Sequence, residues 1–362
     1  MFNMNSIFKN KKIIITGHTG FKGSWLAVWL NLLGGKILGI SNGYVSNPSH
    51  YKLLNLNKKI INKNIDVRDL TKLKRIIKKF QPDFVFHLAA QSIVKESYKN
   101  PLKTWSTNTF GTINILESLR QLNKKCVAVI ITSDKCYENL EIKRGYHEQD
   151  KLGGKDPYSA SKASADIAIR SYVKSFFSHK NNNVFIATAR AGNVIGGGDW
   201  SSNRLIPDCV KSWSKKRGVL IRSPYSTRPW QHVLEAIYGY IILAISLNKN
   251  PSLHGEAFNF GPSNVHNYNV VSVVKLMKKY WKDVSWKLSK NNNILFKESA
   301  LLKLNSKKAK KKINWKSVLT FKENIFLVAD WYKNFYLNSR KAYELTTAQI
   351  YKFQEIAKNK IK

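Results

Sequence analysis

The sequence predicts an α/β fold with a doubly wound parallel sheet. From residue 11 to Ile195, short apolar runs typical of buried strands alternate with longer helical stretches. A glycine-rich turn from Gly17 to Gly23 separates the first strand from the first helix. In Rossmann-type sheets this turn receives a dinucleotide diphosphate, because the glycines allow close approach and helix N–H groups face the phosphates. We therefore expect ligands at the carboxyl ends of the strands.

The remaining elements follow the same alternation. Strands are predicted at 11–17, 36–41, 83–88 and 127–131, with another ending at 64–67 and a returning segment at 257–261. Helices are predicted at 24–33, 68–80, 101–122, from Pro157 onward, after Arg204, at 237–247 and in the Lys-rich tail from Asn267. We expect a Rossmann domain at 1–192 with returning segments at about 230–262, and a smaller, discontinuous C-terminal substrate domain at 193–229 and 263–362.

Composition narrows the class of protein. The 362 residues suffice for one large or two modest domains, and the hydrophobic content of 43% is typical of soluble globular proteins. No run reaches the ~18 apolar residues of a membrane span, and the first 12 residues lack the apolar core of a signal peptide. Three widely separated cysteines suggest reduced thiols, so we expect a cytoplasmic protein.

The formal net charge of +39 has two interpretations. A surface this basic could bind nucleic acid or an anionic membrane. Alternatively, Lys, Asn and Ile are abundant together because of the codon bias of an AT-rich genome. The lysines are spread over most of the chain, which favours codon bias. We predict neither a nucleic-acid partner nor a membrane partner, and no metal site.

The stretch from Thr132 to Lys162 contains the candidate chemistry. Ser133, Asp134 and Lys135 follow a buried strand, and Tyr158 and Lys162 lie one helical turn apart. A phenol titrates near ~10, and a neighbouring ammonium group favours the phenolate and lowers its pKa. Such a pair could remove a proton from an alcohol. The plain alternative is a surface tyrosine and a solvated lysine.

Several positions remain ambiguous from the residues alone. The second strand ends in Ser41-Asn42-Gly43, without the acid that normally binds the adenosine ribose, so NAD and NADP stay open. Asp66 either contacts adenine or caps the 68–80 helix, a role that Asp69 could also fill. Asn108 either joins strand ends or faces water.

Five motifs together resemble the extended short-chain dehydrogenase/reductase family. Within it they are similar to the CDP-glucose branch of the nucleotide-sugar dehydratases. The motifs are GHTGFKGSW at 17–25, TSDKCY at 132–137, DPYS at 156–159, GNVIGGGDW at 192–200 and RPWQHV at 228–233. The resemblance implies an NAD-dependent internal redox dehydration in which CDP-glucose loses water across C5 and C6.

The resemblance also implies residue roles. Tyr158, paired with Lys162 and assisted by Ser133, would take the proton of the sugar C4 hydroxyl. Asp134 would protonate the departing C6 hydroxyl, and Lys135 would remove the C5 proton. Alternatively, Lys135 is a counter-charge for Asp134 or for a phosphate.

The resemblance further implies binding residues and assembly. The implied cofactor-binding residues are Gly17, Thr19, Gly20, Phe21, Gly23, Asp66, Val67, Leu88, Ala89, Ala90, Asn108, Tyr158 and Lys162. The implied substrate-binding residues are Gln91, Asn193, Arg204, Arg228 and Trp230. The two arginines suit a diphosphate, because guanidinium pairs well with phosphate oxygens. Trp230 either lines the substrate site or packs in the core. A homo-oligomer, dimer or tetramer, is expected by analogy with the family.

Two other functions compete with dehydration. A nucleotide-sugar 4-epimerase needs Ser133, Tyr158 and Lys162 but no acid and base for eliminating water, so Asp134 and Lys135 argue against it. A polyanion-binding protein on the same fold is supported by the charge alone, and it predicts a clustered basic face.

Overall fold

A seven-stranded, all-parallel sheet forms the centre of the molecule in a computed structural model. The structure describes residues 4–202, 204–221, 223–262, 268–281, 284–288 and 301–361, and the side chain of Arg228 lies outside what it describes. The sheet order is β11-β6-β5-β4-β1-β2-β3. Every pair of neighbours in it is parallel.

The elements have the following bounds. The strands are β1 (Lys12–Thr16), β2 (Lys36–Ser41), β3 (Ile61–Asn64), β4 (Phe84–His87), β5 (Cys126–Ile131), β6 (Val184–Ala191), β7 (Val194–Ile195), β8 (Val219–Ile221), β9 (Thr227–Arg228), β10 (Gln231–His232), β11 (Ala257–Phe260), β12 (Tyr268–Asn269) and β13 (Trp286–Leu288). The helices are α1 (Met4–Phe8), α2 (Phe21–Leu32), α3 (His50–Leu53), α4 (Leu70–Phe80), α5 (Val94–Lys99), α6 (Pro101–Trp105), α7 (Gly111–Leu119), α8 (Pro157–Phe176), α9 (Leu205–Trp213), α10 (Val233–Lys249), α11 (Val270–Tyr280), α12 (Lys307–Ile313), α13 (Phe321–Leu337) and α14 (Ala342–Lys360).

Helices cover both faces of the sheet, so the predicted doubly wound fold is confirmed. On one face lie α2 and α10, two helices that bury side chains on almost all sides. These side chains include the fully buried Trp25 and Trp29. On the other face, α4, α7 and α8 pack in a second apolar cluster with Ile14 and Val85. Full burial of each large apolar side chain is worth about 1.5–3 kcal/mol, so two such layers supply the main driving force for folding.

The sheet reverses its strand order between β1 and β4. Thr16 pairs with His87 at the ends of these two strands, so the chain leaves both at the same level. Ligands bind at such reversals, because the connections run to opposite faces and leave a crevice between them. The glycine turn after β1 and the segment after β4 therefore border one crevice.

The predicted helix 101–122 and the helical tail from Asn267 both differ from the structure. The predicted helix 101–122 is divided into α6, a π-helical turn (Ser106–Phe110) and α7. The tail contains the short strands β12 and β13 besides its helices. Its last helix packs against α2, with the rings of Trp29 and Phe353 5.7 Å apart. The division into two domains stays a prediction.

A buried ion pair fastens α8 to the sheet. Arg190 at the end of β6 donates to both carboxylate oxygens of Asp166 on α8, at 2.8 and 2.7 Å, and neither side chain is exposed. Thr132, directly after β5, also donates to Asp166 at 3.1 Å. Arg190 further donates to Tyr137 at 2.7 Å. Removing one partner of a buried pair costs about 3–5 kcal/mol, so this network fixes where α8 lies.

A second buried carboxyl fastens the chain ahead of α13 to α10. Oε1 of Glu235 accepts hydrogen bonds from Ser317 Oγ, Val318 N and Leu319 N, at 3.0, 2.8 and 2.6 Å. Within the described residues Oε2 has no hydrogen-bond partner. Burial raises the pKa of Glu235 to about 7, although these hydrogen bonds oppose the rise.

Glu235→Gln should make folding stability less sensitive to pH. Because the pKa is raised from 4.5 to about 7 in the folded chain, the bound proton stabilises the fold below about pH 4.5, and this contribution is lost as pH rises through 7. The variant keeps the oxygen acceptor and loses the titration. Relative to that of the wild type, the free energy of unfolding of the variant should rise by about 3 kcal/mol as the pH increases from about 4.5 to 8. Urea unfolding at a series of pH values measures this.

The exposed Glu344 provides the matched control. Glu344→Gln should follow the wild-type pH dependence. A Glu235→Gln variant with the same pH dependence as the wild type would contradict the account of this carboxyl.

Candidate active site

The turn after β1 requires glycine at two positions. Gly17 has a φ of +73°, and a Cβ there would lie 2.8 Å from the backbone N of Ala89. A Cβ on Gly23 would collide with the carbonyl oxygen of Gly17. Thr19 Oγ1 donates to the Gly43 carbonyl at 2.8 Å, which ties the turn to the end of β2. The chain therefore keeps a narrow, side-chain-free surface at the start of α2, whose N-cap is Gly20.

Phe21 and the segment after β4 extend this surface. Phe21 is half-buried at the first position of α2, next to Gly196. Leu88, Ala89 and Ala90 follow β4, and Ala89 N donates to Thr16 Oγ1 at 3.2 Å. The small side chains after β4 leave room beside the glycine turn.

Asn108 joins segments instead of facing water. It is fully buried in the π-helical turn, where its Oδ1 accepts from Gln91 N at 2.8 Å and its Nδ2 donates to Ser161 Oγ at 2.9 Å. The Gln91 amide is itself used locally, because Nε2 donates to Thr104 Oγ1 at 2.9 Å and Oε1 accepts from Ile93 N at 2.6 Å. Asn108 thus lies at the strand ends. The hydrogen bonds of the Gln91 side-chain amide go to Thr104 on α6 and to the nearby Ile93.

Asp66 does not cap α4, since Asp69 does so by accepting from Lys72 N at 3.0 Å. Asp66 instead accepts from Asn42 Nδ2 at 2.7 Å and pairs with Arg68 at 2.6 Å. The hydrogen bonds from Arg68 are the main reason that the pKa of Asp66 falls to about 2. A charged carboxylate therefore stands between the ends of β2 and β3.

Val67 is buried beside α7, where a Cβ on Gly111 would press on its side chain. Asn114 Nδ2 on α7 donates to the Val67 carbonyl at 3.0 Å. This contact holds the chain after β3 against the sheet.

Ser133, Asp134 and Lys135 leave β5 in a short 3₁₀ turn. Ser133 caps the turn by accepting from Lys135 N at 3.2 Å, and its hydroxyl donates to Asp134 Oδ1 at 2.9 Å. Burial raises the pKa of Asp134, although the charge of Lys135 and the Ser133 hydrogen bond oppose it. A carboxyl with a raised pKa keeps its proton to a higher pH than an ordinary aspartate and can donate it.

Tyr158 and Lys162 lie in the first two turns of α8. The helix begins at Pro157 and is capped by Asp156, whose carboxylate accepts from Ser159 N at 3.0 Å. Both side chains are buried, and Lys162 Nζ donates to the Ile131 carbonyl at 3.3 Å. The plain alternative of a surface tyrosine and a solvated lysine is therefore wrong.

Burial dominates the titration of this pair. It raises the pKa of Tyr158 to about 12, against a smaller lowering by a hydrogen bond with Ser133. It lowers the pKa of Lys162 to about 7, and the charge of Lys22 adds to that. The expectation that Lys162 would lower the phenol pKa below its usual range is thus not what the structure shows, because desolvation of the phenolate is the larger effect.

Lys22 and Tyr240 were missed by the sequence analysis. Lys22 Nζ lies 3.5 Å from the hydroxyl of Tyr240, which is fully buried on α10. Burial lowers the pKa of Lys22 to about 8, with a further lowering by Arg204 that Asp134 opposes. Lys22 stands inside a motif that the sequence analysis singled out. Tyr240 lies in an apolar helix without any such signal.

The predicted substrate residues have different surroundings. Asn193 is exposed and lines the cleft, whereas Arg204 Nη1 pairs with Asp199 Oδ2 at 2.9 Å. Trp230 is only 8% exposed and donates from Nε1 to the Tyr268 carbonyl at 2.9 Å, so packing accounts for its indole. Arg228 lies on β9, and its side chain falls outside the part of the chain that the structure describes.

A cleft opens at the strand ends next to these groups. The lining residues are Asp134, Lys135, Tyr137, Asn139, Gly154, Lys155, Asp156, Ser159, Asn193, Pro229 and Leu302. A carboxyl and lysines in one cleft suit an anionic substrate that exchanges protons.

The residues at the reversal of the sheet fit a dinucleotide. The glycine turn has no room for a Cβ at Gly17 or Gly23, and no described side chain caps the N-terminus of α2. Free N–H groups at a helix start attract phosphate oxygens. Gly17, Thr19, Gly20 and Phe21 could hold the diphosphate, and Tyr158 and Lys162 border the same crevice.

Comparisons with known proteins agree with this geometry. The model of the GDP-mannose 4,6 dehydratase family matches residues 14–326. The CDP-glucose 4,6-dehydratase of Salmonella typhimurium is 41% identical over 332 residues, which cover 91% of this chain and 92% of the relative. The resemblance to the CDP-glucose branch, stated from the motifs, is confirmed.

Solved structures share the fold. A dTDP-glucose 4,6-dehydratase of Bacillus anthracis in complex with NAD superposes with a TM-score of 0.71 at 21% identity, covering 90% of this chain and 97% of that one. The UDP-glucose 4-epimerase of Thermotoga maritima with UDP-glucose gives 0.73 at 20% identity, covering 90% and 99%. The chain belongs to the GDP-mannose 4,6 dehydratase family, within the extended short-chain dehydrogenases/reductases.

Proposed function

We propose that the chain is an NAD-dependent hydro-lyase that converts CDP-glucose to CDP-4-dehydro-6-deoxyglucose. One observation carries this proposal: Asp134 and Lys135 share a cleft with Ser159, one residue from Tyr158, at the strand ends of the sheet. The tyrosine alone would serve any alcohol oxidation. The added carboxyl and amine provide the acid and the base that removal of water needs.

Tyr158 acts on the C4 hydroxyl of the glucose. NAD, which Gly17, Thr19, Gly20 and Phe21 would hold at the glycine turn, would supply the two-electron oxidant for C4 and, once reduced, the reductant for C6. With a pKa of about 12 the phenol keeps its own proton at neutral pH, so it must pass that proton on when it takes one from the sugar. Ser133 lowers the pKa of the Tyr158 phenol and donates to Asp134, which offers the proton a path to a carboxylate.

Asp134 and Lys135 then remove water. The C4 ketone acidifies the C5 proton, and Lys135, half-buried at the cleft, takes it and gives a proton back to C5 when hydride reaches C6. Asp134 gives its proton to the departing C6 hydroxyl, and burial favours the protonated state that this step needs. The proton lost at C4 thus balances the proton used at C6.

An epimerase would need no such pair. Relatives that act as UDP-glucose 4-epimerases include one from Mycoplasma genitalium, 27% identical over 90% of this chain. The buried, protonatable Asp134 at the cleft favours elimination over epimerisation.

We also propose that the chain acts as a homo-oligomer. Leu102, Phe110 and Ile167 are 83%, 60% and 55% exposed, and they lie on α6, the π-helical turn and α8, which pack together. Tyr98 and Trp105 add to the same region. Large exposed apolar side chains in one region are typical of a protein interface, and a second copy would bury them.

The proposed compartment is the cytoplasm. Cys126, Cys136 and Cys209 are free and buried, and burial raises the pKa of each thiol. Thiols in this state suit a reducing compartment. Within the described residues, no helix combines the length and apolarity that a membrane crossing demands.

The substrate proposal is tested by incubating the purified chain with NAD and CDP-glucose, dTDP-glucose or UDP-glucose in turn. A 4-keto-6-deoxy product, detected by mass spectrometry, is expected from CDP-glucose in clear preference to the others. Preference for another nucleotide would overturn the CDP assignment, and a C4 epimer without loss of water would overturn the reaction.

Two variants separate the oxidation from the elimination. Tyr158→Phe should lower oxidation at C4 at least ~10²-fold, because the general base is gone. Lys135→Met should retain slow C4 oxidation but no longer eliminate water. Rapid-quench analysis of the sugar measures both steps, and Lys174→Met, at an exposed lysine of α8 that does not line the cleft, is the control. Equal loss of both steps in Lys135→Met would contradict its role as the C5 base.

The oligomer proposal is tested with Leu102→Glu and Ile167→Glu. Each places a charge in the exposed apolar region and should shift the chain from dimer or tetramer toward monomer in light scattering coupled to gel filtration. Leu140→Glu, at another exposed leucine, should leave the mass unchanged. A wild-type chain that is monomeric, or variants that stay assembled, would refute this interface.

A further inference from the structure

Asp199 stands in a loop that two helices hold rigidly. The Tyr332 hydroxyl on α13 accepts from the Asp199 N–H at 2.9 Å and donates to the Asp199 carbonyl at 2.6 Å. Trp25 Nε1 on α2 donates to the Gly197 carbonyl at 2.9 Å, and Trp200 Nε1 donates to Tyr336 at 2.8 Å. The backbone around Asp199 therefore has little freedom.

Glycine is needed on both sides of these contacts. A Cβ on Gly197 would collide with the Trp331 ring, and Gly198 has a φ of +82° beside the His50 ring. The loop therefore packs directly against buried aromatic side chains. Such packing fixes the direction in which the next residue, Asp199, presents its carboxylate.

The Asp199 carboxylate is buried and has two partners. It is 4% exposed, and its Oδ1 accepts from Ser201 N at 3.0 Å while its Oδ2 pairs with Arg204 Nη1 at 2.9 Å. The Arg204 side chain is 36% exposed, so its guanidinium reaches from the buried carboxylate toward solvent. A guanidinium has five N–H donors, and among the residues that the structure describes this one pairing leaves others available to a ligand.

Arg204 lies near enough to two groups of the reacting site for its charge to act on them. Burial sets the pKa values of Tyr158 and Lys22, and the charge of Arg204 lowers both. An arginine held near these groups could bind phosphate oxygens, yet a free arginine side chain loses much rotational freedom when it binds. A partner that orders it beforehand removes that cost from binding.

We propose that Asp199, held by Tyr332, is a positioning residue that orders Arg204 to receive the diphosphate of the nucleotide sugar. This inference rests on the proposed function, in which a nucleoside diphosphate sugar is the substrate. Asp199 touches neither the sugar nor the reacting atoms. It acts through Arg204, and Tyr332 acts through Asp199.

A double-mutant cycle tests the proposal. The dissociation constant of CDP is measured by calorimetry for the wild type, Asp199→Asn, Arg204→Met and the double variant. Asp199→Asn should weaken CDP binding about tenfold while kcat stays within about twofold. In the Arg204→Met background the same substitution should change the dissociation constant less than about twofold. Tyr332→Phe, which keeps the ring, should give a smaller weakening.

Controls keep the outcome interpretable. Asp150→Asn removes a carboxylate from another arginine, Arg144, 2.7 Å away, and should leave CDP binding unchanged. If Asp199→Asn fails to fold, the cycle is run with Tyr332→Phe in its place. If the wild type binds UDP or dTDP and not CDP, the CDP assignment fails and the cycle proceeds with the nucleotide that binds.

Two results would overturn the inference. Tighter or unchanged binding in Asp199→Asn would show that the carboxylate only repels the diphosphate or does nothing to it. Equal weakening by that substitution with and without Arg204 would show that Asp199 acts independently of the arginine.

Discussion

The arrangement of the site depends on one buried ion pair, between Asp166 on α8 and Arg190 at the end of β6. Both side chains are fully buried, and the pairing uses both carboxylate oxygens. Lys162 is one helical turn before Asp166 and Tyr158 is two turns before it, so the contact that fixes α8 also sets where these two side chains meet the sheet. Thr132, one residue before Ser133, donates to the same carboxylate.

Burial, more than pairing, sets the proton affinities in the cleft. It raises the pKa of Asp134 and of Tyr158 and lowers that of Lys22 and of Lys162. All four shifts favour the neutral form, because a low-dielectric site penalises charge. Neutral acids and neutral amines can exchange protons at moderate pH. The burial of these groups in the packed fold therefore prepares the site for acid–base catalysis.

Sequence predicted the features that arise locally. The glycine turn, the strand ahead of Ser133 and the helix that brings Tyr158 and Lys162 to one face follow from periodicity and spacing, and the structure contains each. The family resemblance added the roles of Asp134 and Lys135, which spacing alone does not give.

Features that depend on distant contacts were not predictable from sequence. Lys22 meets Tyr240 across 218 positions, and Tyr332 meets Asp199 across 133. The π-helical turn that directs Asn108 to Gln91 lies inside a stretch that reads as one helix. Tertiary packing determines these two contacts and the π-helical turn, and no local sequence pattern indicates any of them. The pKa of Tyr158 also depends on burial that only the folded chain creates.

The central claim is that hydrogen leaves C4 and returns to C6 of one sugar molecule, so that the reaction has no net gain or loss of electrons. CDP-glucose deuterated at C4 tests it directly, with NMR of the product. The account predicts that the deuterium appears in the C6 methyl group, with a solvent hydrogen at C5 if the reaction runs in light water. Deuterium lost to solvent, or retained at C4, would contradict it.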